Sequence, residues 1–92
     1  MIPTGWAMEI PQGCFGGIFA RSGLASKKGL RPANCVGVID SDYRGEVKVA
    51  LHNDLSQTVT IKGGERVAQL IIMEYNYINF EIVDELNDTN RG

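Results

Sequence analysis

Apolar and polar residues alternate with a period of two along most of this chain. In Glu46-Val47-Lys48-Val49-Ala50-Leu51-His52, the apolar positions Val47, Val49 and Leu51 interleave with Glu46, Lys48 and His52. That spacing predicts a strand with one wet face. Thr58 to Ile61 alternates in the same way and ends at Lys62-Gly63-Gly64. Val67 to Met73 is almost continuously apolar, which predicts a strand buried on both faces. Tyr77 to Val83 alternates again. Nearer the start, Gly5 to Ile10 and Phe15 to Phe19 read as strands joined by Pro11-Gln12-Gly13, and Val36 to Ile39 is a short apolar piece. Gly16 and Gly17 inside a strand predict a bulge or a close backbone approach. One helical turn is expected over residues 22–28, capped by Ser22 and stopped by Gly29. Six or seven short strands at this spacing predict an all-β sandwich or barrel.

Composition narrows the reading. The chain has 92 residues, 43% hydrophobic and 22% charged, with a net charge of −2. Residues 1–92 are expected to form a single domain. A chain of this size buries only about 60–65% of its unfolded surface, so oligomerisation is one way to complete the core. No run of about 18 apolar residues predicts a membrane helix. No basic region followed by an apolar stretch opens the chain, so a cytoplasmic location is expected. Cys14 and Cys35 are too few for a disulfide scaffold, and with His52 they make no zinc site; reduced, half-buried thiols are expected. Charge is unevenly placed. Arg21, Lys27, Lys28 and Arg31 lie in an acid-free stretch, whereas residues 67–90 carry acids and no Lys or Arg. A nucleic-acid binder would show a larger basic excess, so a compact anionic ligand fits better than a nucleic acid.

Three clusters carry candidate chemistry. Arg21-Ser22-Gly23 lies where a strand meets the helical turn. It reads either as an ordinary cap or as a phosphate contact made by backbone N–H groups, a guanidinium and a hydroxyl. Asn34 to Gly45 places two carboxylates, an amide and an aromatic ring around a tight reversal, with Asp42 to Gly45 as turn chemistry. Asp40 directly follows a buried apolar piece, so its carboxylate is either paired or functional. Gly63 to Leu70 sets Gln69 inside an apolar run, where its amide needs a partner, either a neighbouring backbone or a ligand.

Together these segments resemble the trimeric dUTP diphosphatases (dUTPases). Arg21-Ser22-Gly23 matches the family's second motif. Gly37 to Gly45 matches the third, Gly-x-Ile-Asp-x-Asp-Tyr-x-Gly, at every fixed position. Gly64 to Gln69 matches the fourth, Gly-Glu-Arg-x-Ala-Gln. Ile2-Pro3-Thr4-Gly5 and the turn before Val59 also fit. The first motif is absent, only Arg91-Gly92 matches the fifth, and Ala20 stands where the family usually has Pro. The resemblance therefore implies a domain truncated at both ends relative to the family, with an open site and turnover reduced by orders of magnitude.

The resemblance implies a jelly-roll-like β-barrel homotrimer that hydrolyses dUTP to dUMP and pyrophosphate, keeping uracil out of DNA. Mg2+ would be carried by the substrate phosphates, with no metal ligand from the chain. Asp40 would orient and activate the attacking water. An ordinary aspartate, with a pKa of about 3.9, is a weak base near neutrality, so positioning would matter as much as proton removal. Asn34 and the backbone near Gly37 and Ile39 would read uracil, and Tyr43 would pack on the deoxyribose. Arg21, Ser22, Gly23 and Gln69 would contact phosphates, mostly from a different subunit than the uracil hairpin. Arg66 would brace the site, and Asp42 would serve the turn. Two other readings remain: a non-catalytic dUTPase-like domain that oligomerises or binds a partner, and a dCTP deaminase, which shares the fold.

Overall fold

The computed structural model describes residues 1–92. Seven short strands and one helix follow in the order β1 (Ile2–Pro3), β2 (Cys14–Phe19), α1 (Ser22–Lys28), β3 (Leu30–Pro32), β4 (Gly37–Ile39), β5 (Lys48–Val49), β6 (Leu51–Asn53) and β7 (Gln69–Glu74). They form three antiparallel sheets: β1 with β5, β4-β2-β7, and β3 with β6. The sheets do not close into a barrel. No helix is long and apolar enough to cross a membrane.

The alternation in residues 46–52 is borne out by burial, since Val47 and Val49 are buried while Glu46, Lys48 and His52 are exposed. It is not one strand, however. The chain changes sheets at Ala50: Lys48–Val49 pairs with β1, and Leu51–Asn53 pairs with β3. Ala50 sits at the corner and accepts the Ala33 N–H at 2.8 Å.

Buried Ile10, Ile18, Ile39, Val47 and Val49 form the core, with Met8, Cys14, Leu51 and Ala68 against it. β2 is the central strand. Its Gly16 and Gly17 sit in unbroken register with both neighbours, so there is no bulge. The close approach is real, because a Cβ on Gly16 would stand 3.0 Å from Ile10 Cδ1 and 3.1 Å from Leu70 Cδ1. Helix α1 spans the expected residues, but its N-cap is Arg21. Ser22 already lies inside the helix, and no side chain caps it. Gly29 ends it in the left-handed conformation at φ 66°, with its N–H on the Leu24 carbonyl.

Four strand expectations change. Residues 5–10 form no regular strand, although Ile10 is buried; the pairing with β5 falls instead at Ile2–Pro3. Val59 and Ile61 are half-buried between exposed Thr58 and Thr60, but nothing pairs with them. β7 is exposed on every residue instead of buried on both faces, because only β2 borders it and no second layer covers it. Tyr77 to Val83 keeps its alternation without a partner strand and is fully exposed. The thiols also differ from expectation. Both are free, but Cys14 is half-buried and Cys35 is exposed, in a turn with φ 36°.

Candidate nucleotide site

The second and fourth motif segments meet through β-sheet register. Phe19 of β2 pairs with Gln69 of β7, which brings Gln69 beside the start of the Arg21 turn. Gln69 Nε2 donates to the Ala20 carbonyl at 2.9 Å. Gln69 is exposed, contrary to the buried setting expected, so this bond is not forced by burial; it leaves the second Nε2 hydrogen and the side-chain oxygen free. Arg21 is half-buried, Ser22 and Gly23 are exposed, and the first helical bond runs from Ala25 N–H to Arg21 O at 3.0 Å. The N–H groups of Ser22, Gly23 and Leu24 therefore have no intrahelical acceptor.

A second link joins the same segments. Lys28 at the end of α1 lies 3.7 Å from Glu65. Glu65 also accepts the Lys62 N–H at 3.0 Å, closing the Gly63-Gly64 turn. The Lys62 amide, aided by the nearby Lys28 ammonium, holds the Glu65 carboxyl below the ordinary glutamate value. Of the basic cluster, Arg31 is taken up by Asp54 at 2.9 and 3.2 Å, and Lys28 by Glu65. Arg21 and Lys27 have no acidic partner.

The third segment lies on the other side of β2. Gly37–Ile39 pairs with Ile18–Gly16, and β4 is an edge strand, so one row of its backbone groups has no strand partner. The exposed Asn34 lies over Gly37, whose Cβ would stand 3.4 Å from the Asn34 Nδ2. Ile39 is buried and directs the next residue, Asp40, to the surface. The Asp40 carboxylate is exposed and takes part in none of the chain's four ion pairs. Asp40 O accepts the Tyr43 N–H at 3.1 Å, which makes Asp42 a turn residue. Tyr43, half exposed, donates its hydroxyl to the Glu46 carbonyl at 2.8 Å. Asp40, Tyr43, Val38 and Ile39 line one cleft of about 430 Å³. Arg66 is exposed and makes no ion pair.

Within one chain these groups do not converge. Continuing the register sets Asp40 opposite Phe15, six residues from Arg21 along the strand line, or about 20 Å at roughly 3.3 Å per residue. Gln69 lies with Arg21, away from Asp40. A cleft of about 710 Å³ opens between the β1–β5 pair and the 61–70 segment and is mainly apolar. It contains neither Asp40 nor Tyr43, so it is the open side of the core and not the polar site. No three His, Cys, Asp or Glu side chains are placed to hold a metal ion together.

The strand register thus sets an Arg-Ser-Gly turn and its bonded glutamine along one side of β2, and an aspartate-tyrosine hairpin along the other. The whole chain, residues 1–92, matches the dUTPase family. The protein belongs to that family, and its sheets are those of the family's jelly-roll-like β fold. The deoxyuridine 5′-triphosphate nucleotidohydrolase of Desulfitobacterium hafniense is 51% identical over 92 residues, covering 99% of this chain and 61% of its own length. That of Escherichia phage T5 is 50% identical over 93 residues, covering all of this chain and 62% of its own. Among solved structures, the dUTPase of Staphylococcus bacteriophage 80alpha with dUpNHpp superposes with a TM-score of 0.81 at 26% identity. That match covers 94% of this chain and 66% of the phage chain. The chain thus spans about three fifths of the length of these curated relatives.

Proposed function

We propose that this chain acts in the hydrolysis of dUTP to dUMP and pyrophosphate. The observation that carries the reading is the disposition of three matched segments about β2. Arg21, Ser22, Gly23 and Gln69 offer phosphate contacts on one flank. Asn34, the free edge of Gly37–Ile39, Asp40 and Tyr43 form a base and sugar hairpin on the other. Extending the register sets Asp40 and Arg21 roughly 20 Å apart along β2, and we read a complete site as the hairpin of one subunit with the phosphate turn of another. The assembly is a homotrimer, supported by the exposed apolar surface described below and by the family resemblance.

The α-phosphorus of dUTP is the reacting centre. Water oxygen bonds to it, the bond to the bridging oxygen of the β-phosphate breaks, and pyrophosphate leaves. Asp40 orients the water and takes its proton. Arg21 and the free backbone N–H groups after it neutralise phosphate charge. Mg2+ enters as the cation of the triphosphate; separately, the related D95N mutant dUTPase of phage phi11 of S. aureus coordinates a structural Mg(II) ion. The unpaired edge of β4 suits the polar edge of uracil. Cytosine would leave its donors and acceptors facing like groups, at about 1–3 kcal/mol each. The reaction fits a cytoplasmic enzyme of nucleotide metabolism, formed here by a single domain over residues 1–92.

The test is magnesium-dependent pyrophosphate release from dUTP, with dTTP, dCTP and UTP alongside. Release is expected from dUTP selectively. Asp40→Asn should lower it by about 10²–10⁴-fold, the usual share of a positioned base, while dUMP binding persists. Ammonia release from dCTP would instead favour a deaminase. Trimers with neither hydrolysis nor dUMP binding would leave an oligomerising domain without chemistry.

A further inference from the structure

We propose that Gly45 is a positioning residue for sugar selection: its bare Cα lets the Tyr43 ring lie against the chain with its hydroxyl bound to the Glu46 carbonyl. This rests on the reading of the Asp40 hairpin as a deoxyuridine-nucleotide site. A Cβ on Gly45 would stand 2.6 Å from Tyr43 Oη, 2.8 Å from Cζ and 3.2 Å from Cε1. The three nearest atoms all belong to the Tyr43 ring, so the ring is the first thing a side chain at this position would meet. Gly45 is not among the glycines with positive φ. An alanine there is therefore free of backbone strain, and the ring is what must move.

The acceptor cannot follow the ring. The Glu46 carboxylate accepts the Gly5 N–H at 2.9 Å. Next to it, Val47 N–H donates to Trp6 O at 2.8 Å, and Val47 O accepts from Thr4 N at 3.1 Å and Thr4 Oγ1 at 2.6 Å. Residues 46–47 are thus fastened to residues 4–6. At its other end the Tyr43 backbone N–H is held by the Asp40 carbonyl at 3.1 Å. The ring is fixed at its root, at its hydroxyl and along its flank, and what remains open faces the cleft it shares with Asp40. A ring held in this way leaves a set gap for the sugar. A displaced ring no longer separates a 2′-hydroxyl from a hydrogen.

The test measures binding of dUMP, UMP and dCMP to the full chain by calorimetry, for wild type, Gly45→Ala and Tyr43→Phe. NMR contacts between the Tyr43 ring and residues 45 and 46 serve as a substrate-free readout. Gly45→Ala should break the ring's contact with Glu46 and lower the dUMP:UMP preference about 10-fold or more, since a displacement near 1 Å can cost up to about 10²-fold. Tyr43→Phe, which loses one hydrogen bond, should lower it about 2- to 10-fold. The dUMP:dCMP preference should stay at the wild-type value in both, because the β4 edge is untouched; a general loss of structure would lower both ratios. An unmoved ring, an unchanged sugar preference, or a joint fall in sugar and base preference overturns the inference. Wild-type protein that binds no uridine nucleotide overturns the function itself, and the inference with it.

Discussion

Gly29 shows how much one residue fixes in a chain with so small a core. It ends α1 in the left-handed conformation at φ 66°, is buried, and a Cβ there would stand 2.6 Å from Leu55 Cγ. Its carbonyl accepts the Asp54 N–H at 2.8 Å, so the helix end is also tied to the chain after β6. Gly29→Ala combines the left-handed cost of about 1–2 kcal/mol with displacement of a neighbouring side chain. A loss of about 2–3 kcal/mol in urea unfolding is expected. A loss below about 0.5 kcal/mol would mean that Leu55 and the backbone relax freely. Gly45→Ala forms the useful contrast, since its backbone carries no such strain and its effect should fall on selectivity instead of stability.

At the scale of elements, the clasp between α1 and the Gly63-Gly64 turn is the most specific connection outside the sheets. Glu65 titrates below the ordinary glutamate range, first because the Lys62 amide donates to it and then because Lys28 is near. A carboxyl depressed on folding contributes stability that is present above its unfolded pKa and is lost as pH falls through the folded value. Carbon-detected NMR should therefore place the Glu65 midpoint below that of an ordinary exposed glutamate. Lys28→Met should raise the midpoint only in part, because the amide bond remains. A midpoint that returns fully to the ordinary value would show that Lys28 dominates.

How much of this was legible beforehand follows from what each element depends on. Helix α1, β2 and β4 are set by local spacing and by Gly29, and the sequence alone predicts them. The motif residues could be named because residue type and order carry that chemistry. Ile2–Pro3 and Leu30–Pro32 were missed, since each is a strand only through its partner. Residues 58–61 and 77–83 show the converse, having the alternation without a partner and so no strand. The break at Ala50 is also invisible to a period of two, because alternation continues across a change of sheet. Gln69 shows the limit for the site. Its need for a partner was readable, but the identity of that partner, Ala20 O, depended on the Phe19–Gln69 register.

The whole molecule is too open for a chain of its mass. Its radius of gyration is 18.1 Å, where about 12 Å is ordinary for this length. Its accessible surface is 7748 Å², against roughly 5,300 Å² for a compact monomer of 10.1 kDa. The excess is about the area that an obligate interface removes from water. Much of the uncovered surface is apolar: Trp6 is 72% exposed, Tyr77 84%, Phe80 92%, Ile82 100% and Leu86 86%. Ile78, Phe80 and Ile82 alternate with Asn79 and Glu81, a strand pattern with no partner strand among residues 1–92. If other copies supply that partner, sedimentation should give three times the chain mass. Phe80→Asp should then dissociate the assembly, because burying one such ring contributes about 1.5–3 kcal/mol and the loss recurs at each interface. On the proposed inter-subunit site, turnover of dUTP should fall in the same variant in step with the trimer. A wild type that sediments at 10.1 kDa while still hydrolysing dUTP would break that link. It would then require Asp40 and Arg21, roughly 20 Å apart along β2 by register, to act on one nucleotide within a single chain.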